Sequence, residues 1–296
     1  MREARQRLAV GFFDGVHLGH RAILRGASAA LTFRNHPLTV LAPDRAPPLL
    51  MSEADRLATL RALGLEVTAL DFDAALAALP PEDFLKLMKR LVAPAGLSVR
   101  CGANWRFGRD GEGDAEWLSA RGIPVTVVPY AEYLGEPVSS TRIRATLLRG
   151  ELEHANAMLG RAYTVRGEVV KGKGLGTALG YPTVNIVPEL SGADGDRLPL
   201  PLGVYAAELG GMRAIANYGL APTAGERAWP APVLEVHLLP DAGASGSSGL
   251  PSAGLPGSGA SSVSLALRRF IRPERRFESL AALRAQIAED IRSCGI

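Results

Sequence analysis

The segment Val10–His20, VGFFDGVHLGH, constrains the fold of this chain more than any other stretch. An apolar run breaks at Asp14-Gly15 into a segment that begins with His17 and carries His20 three residues later. This pattern predicts a strand, a tight turn and the start of a helix. Because residues three apart share a helix face, we expect both imidazoles to lie toward the helix N-terminus, where backbone N–H groups favour an anion such as phosphate. Gly19, between them, would let such a ligand lie close to the backbone.

The first part of the chain, as far as Pro129, alternates short apolar runs with helical patterns. The predicted strands are LAVGFF (8–13), AALTF (29–33), VTALDF (67–72), SVRCG (98–102) and VTVVP (125–129), and the predicted helices are 52–63, 81–91 and 115–121. This alternation predicts an α/β domain with a Rossmann-like parallel sheet wrapped by helices. Active sites in such sheets lie at the carboxyl ends of strands. Segments 14–20, 33–37 and 102–108 all follow predicted strands, so we expect them to form one site.

The second part of the chain, from Arg142 onward, has a different pattern of predicted elements. RIRATLLRGELEHANAMLG (142–160) predicts a connector of two helices broken at Gly150. Six β-type runs with Gly and Pro between them then predict a small antiparallel barrel, and SLAALRAQIAEDIR (279–292) predicts an amphipathic helix packed on it. These six runs are 163–170, 182–187, 203–209, 212–219, 233–239 and 262–270. The Gly/Ser-rich stretch 242–262 predicts a flexible loop inside this domain, because it cannot bury enough apolar surface to offset chain entropy.

Length and charge exclude several classes of protein. A chain of 296 residues predicts about two domains of ~150 residues each. The 33 basic and 30 acidic residues leave a charge of only +3, so we expect no nucleic-acid partner. Cys101 and Cys294 match no disulfide framework, and no apolar run is long enough for a signal peptide or a membrane span. We therefore expect a cytoplasmic protein with no membrane partner, either a monomer or a transient homo-oligomer.

The histidines admit simpler interpretations. A histidine near a helix start is often a cap or a packing residue, and the HxxH spacing could be half of a metal site. The other histidines, His36, His154 and His237, form no HExxH motif or Cys/His cluster. Phosphate contact is therefore favoured over metal ligation.

The full string G-x-F-D-G-x-H-x-G-H is more specific than its histidines. It resembles the signature of the HxGH nucleotidyltransferases, and GFFDGVHLGH is similar to the branch that adenylylates FMN in bacterial bifunctional riboflavin kinase/FAD synthetases. The resemblance implies that His17 and His20 contact the α- and β-phosphates of ATP and that SSTRIR (139–144) holds the leaving pyrophosphate. The residues so implied to bind ATP or phosphate are Gly11, Phe12, Asp14, Gly19, Ser139, Ser140, Thr141, Arg142 and Arg144.

Two further segments resemble the flavin side of that family's site. TFRNHP matches it through Phe33, His36 and Pro37, and differs at Arg34 and Asn35. GANWRFG matches it through Asn104, Phe107 and Gly108, with Trp105 where Phe is usual. The resemblance implies that Phe33, His36, Pro37, Asn104 and Phe107 bind flavin. Aromatic rings there could lie against the isoalloxazine, although Trp105 could equally belong to the core.

Residues 167–186, GEVVKGKGLGTALGYPTVNI, mimic a P-loop, but Gly174 stands where Ser or Thr would bind Mg²⁺, and a third glycine for a Rossmann fingerprint is absent. The string instead resembles the riboflavin kinase motif, and the resemblance continues over nearly all of 160–296. It implies ATP contacts from Gly172, Gly174, Gly176 and Pro182. Thr177, where the family often has Arg, and the absence of an Asp-Leu-Tyr-Gly turn are departures from the family pattern.

Phosphorylation of an alcohol needs a base for the hydroxyl and a cation for the triphosphate. Thr183 and Asn185 are neutral oxygen donors that point the same way along a strand, which suits Mg²⁺. Glu235 lies in an apolar strand and on its own would be interpreted as an edge-strand residue facing solvent. The resemblance instead makes Glu235 the base that activates the 5′-hydroxyl of riboflavin.

We therefore predict an adenylyltransferase domain over 1–158 and a riboflavin kinase domain, a six-stranded antiparallel β-barrel with a terminal helix, over 159–296. The predicted enzyme phosphorylates riboflavin to FMN and adenylylates FMN to FAD, with ATP and Mg²⁺ serving both steps. The alternatives are an adenylyltransferase with a decayed kinase barrel and a flavin- or nucleotide-binding module without turnover. Only eleven residues separate His20 from Thr32, so either the first helix is truncated or the sheet is rearranged.

Overall fold

The computed structural model describes residues 6–92, 96–170, 181, 183–189, 197–220, 231–239 and 262–294, without the side chain of Val92. The described residues form two compact units, which divide the chain between Arg142 and Ile143.

The first unit is built on a parallel sheet. Its strands are β1 (Gln6–Val10), β2 (Ala29–Phe33), β3 (Glu66–Leu70), β4 (Leu97–Gly102), β5 (Val125–Val128) and the pair β6 (Glu132–Tyr133) and β7 (Glu136–Pro137). Its helices are α1 (Leu18–Leu24), α2 (Leu38–Leu41), α3 (Glu53–Ala62), α4 (Ala74–Ala77), α5 (Pro81–Val92) and α6 (Ala115–Ser119). The strand order is β3-β2-β1-β4-β5, with every neighbour parallel, whereas β6 and β7 form a separate antiparallel hairpin. The predicted Rossmann-like sheet is confirmed.

Strand β1 lies at the centre of this sheet and is buried on both faces. Leu8 and Val10 pack into a cluster with residues of α5 and β4, whereas Ala9 packs on the other face with Phe13 and Leu60. This period-2 division of apolar side chains is what places helices on both sides of a parallel sheet. The carboxyl end of β1 is therefore held rigidly from both faces.

Helix α1 is only seven residues long. Strand β2, which follows it, still pairs with β1 in parallel, with Ala9 opposite Ala30. Of the two alternatives raised by the short spacing, the truncated helix is correct and the sheet is not rearranged. Strand β1 ends at Val10, earlier than the predicted Phe13, because Phe13 adopts a left-handed conformation (φ 58°) that a strand cannot contain.

The second unit begins with two helices and continues as a barrel. The helices are α7 (Ser140–Leu148), whose first residues belong to the first unit, and α8 (Leu152–Leu159). The strands are β8 (Tyr163–Val170), β9 (Thr183–Pro188), β10 (Gly203–Leu209), β11 (Met212–Gly219), β12 (Val233–Leu238) and β13 (Ser262–Pro273), and the terminal helix is α9 (Leu280–Ser293). They close in the order β10-β11-β12-β9-β8-β13, with all neighbours antiparallel. The predicted six-stranded barrel with its terminal helix is confirmed.

Helices α8 and α9 are fixed to strand β13 by polar side chains. The amide of Asn156 in α8 donates to the carbonyl oxygens of Leu267 (3.0 Å) and Arg268 (3.2 Å). Asp290 in α9 is buried and accepts from Nε and Nη2 of Arg272 at 2.9 and 2.6 Å. The Gly/Ser-rich segment was predicted to be a loop as far as Ser262, but Ser262 is already the first residue of β13. Residues 240–261 lie outside the described part of the chain.

Candidate active site

Residues 14–20, the HxGH segment, follow β1 through a strained turn. Phe13 and Val16 have positive φ angles of 58° and 40°, and Gly15 has φ 80°. Left-handed backbone is costly for a β-branched residue such as Val16, and strain of this kind concentrates at functional sites. The turn places His17 immediately before α1, at the carboxyl edge of the sheet.

The two histidines of this segment stack on each other. His17 is the N-cap of α1, and its Nδ1 accepts a hydrogen bond from the backbone N–H of His20 at 3.3 Å. The ring centroids are 3.6 Å apart, with an interplanar angle of 19°. Because Nδ1 of His17 is an acceptor, a neutral His17 carries its proton on Nε2. His17 therefore lies before the helix rather than in its first turn, and its Nε2 is the atom able to donate to a ligand.

His20 also contacts the ring of Phe13. The two rings are perpendicular, with centroids 5.4 Å apart. Burial, and to a lesser degree the neighbouring His17, hold the pKa of His20 well below its usual value. Its Nδ1 is buried and has no hydrogen-bond partner among the described residues. His20 is therefore a neutral imidazole, whose N–H group can donate to a phosphate oxygen.

Asp14 ties this segment to other loops of the first unit. It is buried, and its two carboxylate oxygens accept from the backbone N–H of Leu50 at 3.0 and 3.1 Å. The carbonyl oxygen of Asp14 accepts from Oγ of Ser140 at 2.9 Å. The contact with Ser140 joins the HxGH segment to the SSTRIR segment, which is 126 residues away in sequence.

Gly19 lies where the same two segments approach each other closely. A Cβ atom at this position would be 3.1 Å from the ring of His17 and 3.3 Å from the carbonyl oxygen of Val138. Any side chain here would press on His17 or on the start of the SSTRIR segment, which explains why this position suits glycine.

The SSTRIR segment begins helix α7. Ser139 caps this helix by accepting from the backbone N–H of Arg142 at 3.2 Å, whereas Thr141 is exposed. Nη1 of Arg142 donates to the carbonyl oxygens of Tyr133 (3.0 Å) and Glu136 (2.8 Å) in the β6–β7 hairpin. Arg142 thus ties the start of α7 to this hairpin. Arg144 is buried and belongs to the second unit.

The segment after β2 carries the predicted flavin-side residues. The ring of His36 meets that of Phe12 edge-on, with centroids 4.8 Å apart, and its Nδ1 accepts from the backbone N–H of Leu38 at 3.1 Å. Phe33 is buried, and Pro37 precedes α2 as its N-cap residue. The structure therefore brings His36 against Phe12, which directly follows the predicted phosphate-side residue Gly11.

The other predicted flavin-side segment follows β4. Asn104 is exposed, whereas Phe107 is buried in the core, with its ring 5.6 Å from that of Phe84. The ring of Trp105 stacks on Phe107 at 4.7 Å and stays partly exposed. The aromatic surface that remains open in this segment is therefore that of Trp105.

One residue of the first unit was missed by the sequence analysis. Arg56 of α3 is completely buried, with its guanidinium carbon 4.1 Å from the centroid of the Phe12 ring. Its Nη2 donates to the carbonyl oxygens of Phe33 (2.7 Å) and Arg34 (2.9 Å). An arginine in an amphipathic helix is normally interpreted as a solvent-exposed residue, so no sequence signal marked it.

The barrel brings together the three residues predicted for phosphorylation. Oγ1 of Thr183 donates to Oε1 of Glu235 at 2.9 Å, although 52 residues separate them. Asn185 lies directly opposite Glu235 in the β9–β12 register. Strand β12 has neighbours on both sides, so the interpretation of Glu235 as an edge-strand residue is wrong. All three side chains are partly buried and alternate with the buried Val184 and Val236.

Two further polar residues extend this cluster. Asn217 on β11 lies opposite Glu235, on the side away from Asn185. Burial raises the pKa of the Glu274 carboxyl, and a hydrogen bond from Asn217 opposes that rise. A Cβ atom on Gly219 would be 2.5 Å from Oε1 of Glu274, so the glycine makes room for this carboxylate. The sequence alone did not indicate Asn217 and Glu274, because only the register of the barrel strands places Asn217 opposite Glu235.

Several predictions concern residues outside the described part of the chain. These are Gly172, Gly174, Gly176, Thr177 and Pro182. Within the described ranges, no three His, Cys, Asp or Glu side chains come together as they would in a metal site.

Comparisons with known proteins match both halves of the chain. A family model for FAD synthetase matches residues 2–142, and one for riboflavin kinase matches residues 159–295. The bifunctional riboflavin kinase/FMN adenylyltransferase of Escherichia coli K12 is 34% identical over 96% of this chain and 90% of its own length. The corresponding protein of Bacillus subtilis 168 is 30% identical over 80% of this chain and 79% of its own.

The chain belongs to the bifunctional riboflavin kinase/FMN adenylyltransferase family. Its activities are those of a riboflavin kinase and an FMN adenylyltransferase, which together make FAD from riboflavin. The FAD synthetase match covers the parallel sheet, and the riboflavin kinase match covers the whole barrel and the whole of α9.

A solved structure shares the fold of this riboflavin kinase/FMN adenylyltransferase over nearly its whole length. It is the crystal structure of a macrolide-efflux protein from Streptococcus pneumoniae, with a TM-score of 0.77 and 27% identity over 98% of this chain and 94% of that chain. No helix in the described parts of the present chain has the length and apolar character needed to cross a membrane.

Proposed function

We propose that residues 159–296 phosphorylate riboflavin and that residues 1–158 adenylylate the FMN so formed. The observation that carries the first assignment is the Thr183–Glu235 hydrogen bond inside the barrel. The second is supported by the stacked His17–His20 pair at the carboxyl edge of the parallel sheet. The proposed boundary agrees with the start of the riboflavin kinase match at residue 159.

In the kinase reaction, Glu235 takes the proton from the 5′-hydroxyl of riboflavin. The oxygen then forms a bond to the γ-phosphorus of ATP, the bond to the β–γ bridging oxygen breaks, and ADP leaves. The Thr183 hydroxyl keeps the carboxylate aligned through its 2.9 Å hydrogen bond. Gly172, Gly174, Gly176 and Pro182 are proposed to contact ATP.

Thr183 and Asn185 are proposed to hold Mg²⁺, which neutralises triphosphate charge when bound. The donor set fits this ion, because both residues offer neutral oxygens beside the carboxylate of Glu235, and Mg²⁺ prefers oxygen ligands.

In the adenylyl transfer, a phosphate oxygen of FMN forms a bond to the α-phosphorus of ATP and pyrophosphate leaves. Little covalent work falls to the protein, so its task is to stabilise negative charge. His17 and His20 donate to the α- and β-phosphates as neutral imidazoles, while Asp14 and Gly19 keep the segment in place. Ser139, Ser140, Thr141, Arg142 and Arg144 hold the pyrophosphate.

Flavin binding in the adenylyltransferase is proposed for the segments after β2 and β4. His36, which Pro37 follows in the chain, lies beside Phe12, and this contact brings the flavin side of the proposed site next to the phosphate side. In the segment after β4, the partly exposed ring of Trp105 offers an aromatic face supported by Phe107. Phe33 and Asn104 complete the proposed flavin-side set.

Both reactions consume ATP, and Cys101 and Cys294 are free thiols. We therefore propose a cytoplasmic location.

The products formed from riboflavin test this proposal. Incubation with riboflavin, ATP and Mg²⁺, followed by chromatography of the flavins, should show FMN first and then FAD. FAD formed only from added FMN would mean that the barrel has lost its kinase activity. Binding of flavin with neither product would reduce the chain to a binding module.

A further inference from the structure

Arg56 is an exceptional buried charge. Its side chain is completely excluded from solvent, yet Nε and Nη1 have no hydrogen-bond partner among the described residues. Buried donors are nearly always paired, so an exception of this kind requires an explanation. Packing of α3 does not explain why this arginine is buried, because Leu57 and Leu60 already provide the apolar side chains of the buried face of the helix.

The guanidinium stays charged in spite of its burial. Burial lowers the pKa of Arg56, whereas the carboxylates of Asp14 and Glu53 raise it. Arginine is protonated at any pH at which the protein folds. Asp14 belongs to the HxGH segment. The positive charge of Arg56 therefore interacts with the phosphate side of the proposed adenylyltransferase site.

The same guanidinium also contacts the flavin side. Nη2 bridges the carbonyl oxygens of Phe33 and Arg34, where β2 ends and the segment leading to His36 begins. The guanidinium carbon lies 4.1 Å from the centroid of the Phe12 ring, which in turn meets the ring of His36 edge-on. A planar fork can cover a ring and bridge two carbonyls at once, which the point charge of a lysine cannot do.

We infer that Arg56 is a positioning residue that sets the spacing between Phe12 and His36 and thereby determines the affinity of the adenylyltransferase for FMN. This inference rests on the proposed assignment of FMN adenylylation to residues 1–158. Both hydrogen-bond acceptors of Arg56 lie at the start of the segment proposed to bind flavin, so its effect falls on FMN binding more than on ATP binding or on the kinase.

Arg56→Lys keeps the charge and loses the planar fork. We expect the KM for FMN to rise about tenfold, as for one lost charge-assisted hydrogen bond, with the KM for ATP changing less than about twofold. Riboflavin phosphorylation by the same variant should match that of the parent. Arg61→Lys is the matched control, because Arg61 is exposed on the same helix.

A structural role alone would lower kcat for FAD formation or shift both KM values together, and either outcome would overturn the inference. A second variant, Arg56→Met, removes the charge as well, and thermal unfolding compares its stability with that of the parent. If Arg56→Met is unfolded at the assay temperature, the KM values of Arg56→Lys alone test the inference. If the parent itself makes no FAD from FMN, the proposed function fails instead, and the two failures are therefore distinguishable.

Discussion

At the scale of single residues, the stacked His17 and His20 are the groups proposed to bind phosphate in the adenylyltransferase. Two imidazolium rings 3.6 Å apart would repel each other, and burial further disfavours charge on His20. In the proposed adenylyl transfer, both histidines act as N–H donors to phosphate, and the stacking sets the orientation of their rings. The hydrogen bond from the His20 backbone to His17 fixes the tautomer of the first ring and, with it, the donor atom.

Replacing His20 should separate the two activities. We expect His20→Ala to reduce FAD formation from FMN by about 10²-fold, roughly 3 kcal/mol of transition-state stabilisation, as for a lost oxyanion donor. FMN formation from riboflavin should stay at the parent rate. Chromatographic rates of both steps measure this, with His154→Ala, at an exposed position on α8, as the control. Normal FAD synthesis by His20→Ala would contradict the role assigned to this residue.

The lowered pKa of His20 also predicts a pH dependence of stability. Below pH ~6.5 the unfolded chain binds a proton at His20 that the folded chain does not, so His20 makes folding less favourable as the pH falls toward its lowered folded pKa. Above pH ~6.5 the effect vanishes. We expect His20→Asn to lose less free energy of unfolding than the parent between pH 7 and pH 5. Urea denaturation at both pH values measures the difference, and parallel losses in the two proteins would refute the prediction.

At the scale of elements, the sequence predicted strands and helices better than the contacts between them. The apolar run 8–13 predicted strand β1, and the pattern of residues 52–63 predicted helix α3. Period and propensity are local properties, so these elements could be predicted. The role of Arg56 could not, because it depends on which carbonyl groups β2 presents to α3.

The same limit applied inside the barrel. The residue types of Thr183 and Glu235 suggested their chemistry, but their contact depends on the β9–β12 register, which is set by the closure of six strands. In the first unit, the position of His17 before α1 depended on the left-handed Phe13. Non-local register and rare backbone angles carry little signal in a single sequence.

The docking of α9 offers a prediction at this scale. Asp290 is buried and receives two hydrogen bonds from Arg272 on β13. Asp290→Asn should lower the free energy of unfolding of the barrel by about 2 kcal/mol, less than for a fully buried pair because the Arg272 side chain stays 17% exposed. Urea denaturation of the variant and the parent measures the loss. The control is Glu289→Gln, which removes an exposed ion pair with Arg292 on the same helix and should change the free energy of unfolding by less than about 0.5 kcal/mol. Equal effects of both variants would contradict the prediction.

At the scale of the whole molecule, each unit has its own core and its own set of candidate catalytic groups. The first unit is built around Leu8 and Val10 of β1, and the second includes the cluster of Val204 and Ile215 with Cys294, the residue that follows α9. The Glu235 cluster lies wholly in the barrel, and the His17–His20 pair lies wholly in the parallel-sheet unit. FMN is the only compound that must pass between the two reactions.

Mixing two single-site variants tests whether FMN passes through solution. His20→Ala should convert riboflavin only to FMN, because its barrel is intact, and Glu235→Gln should leave riboflavin unchanged but adenylylate added FMN. An equimolar mixture should therefore form FAD from riboflavin after a lag, because FMN released by the first variant binds to the second. Chromatography of the flavins over time measures the lag, which should disappear when FMN is supplied at the start. If the mixture makes no FAD while each variant keeps its own half-reaction, FMN must instead be transferred within a single molecule.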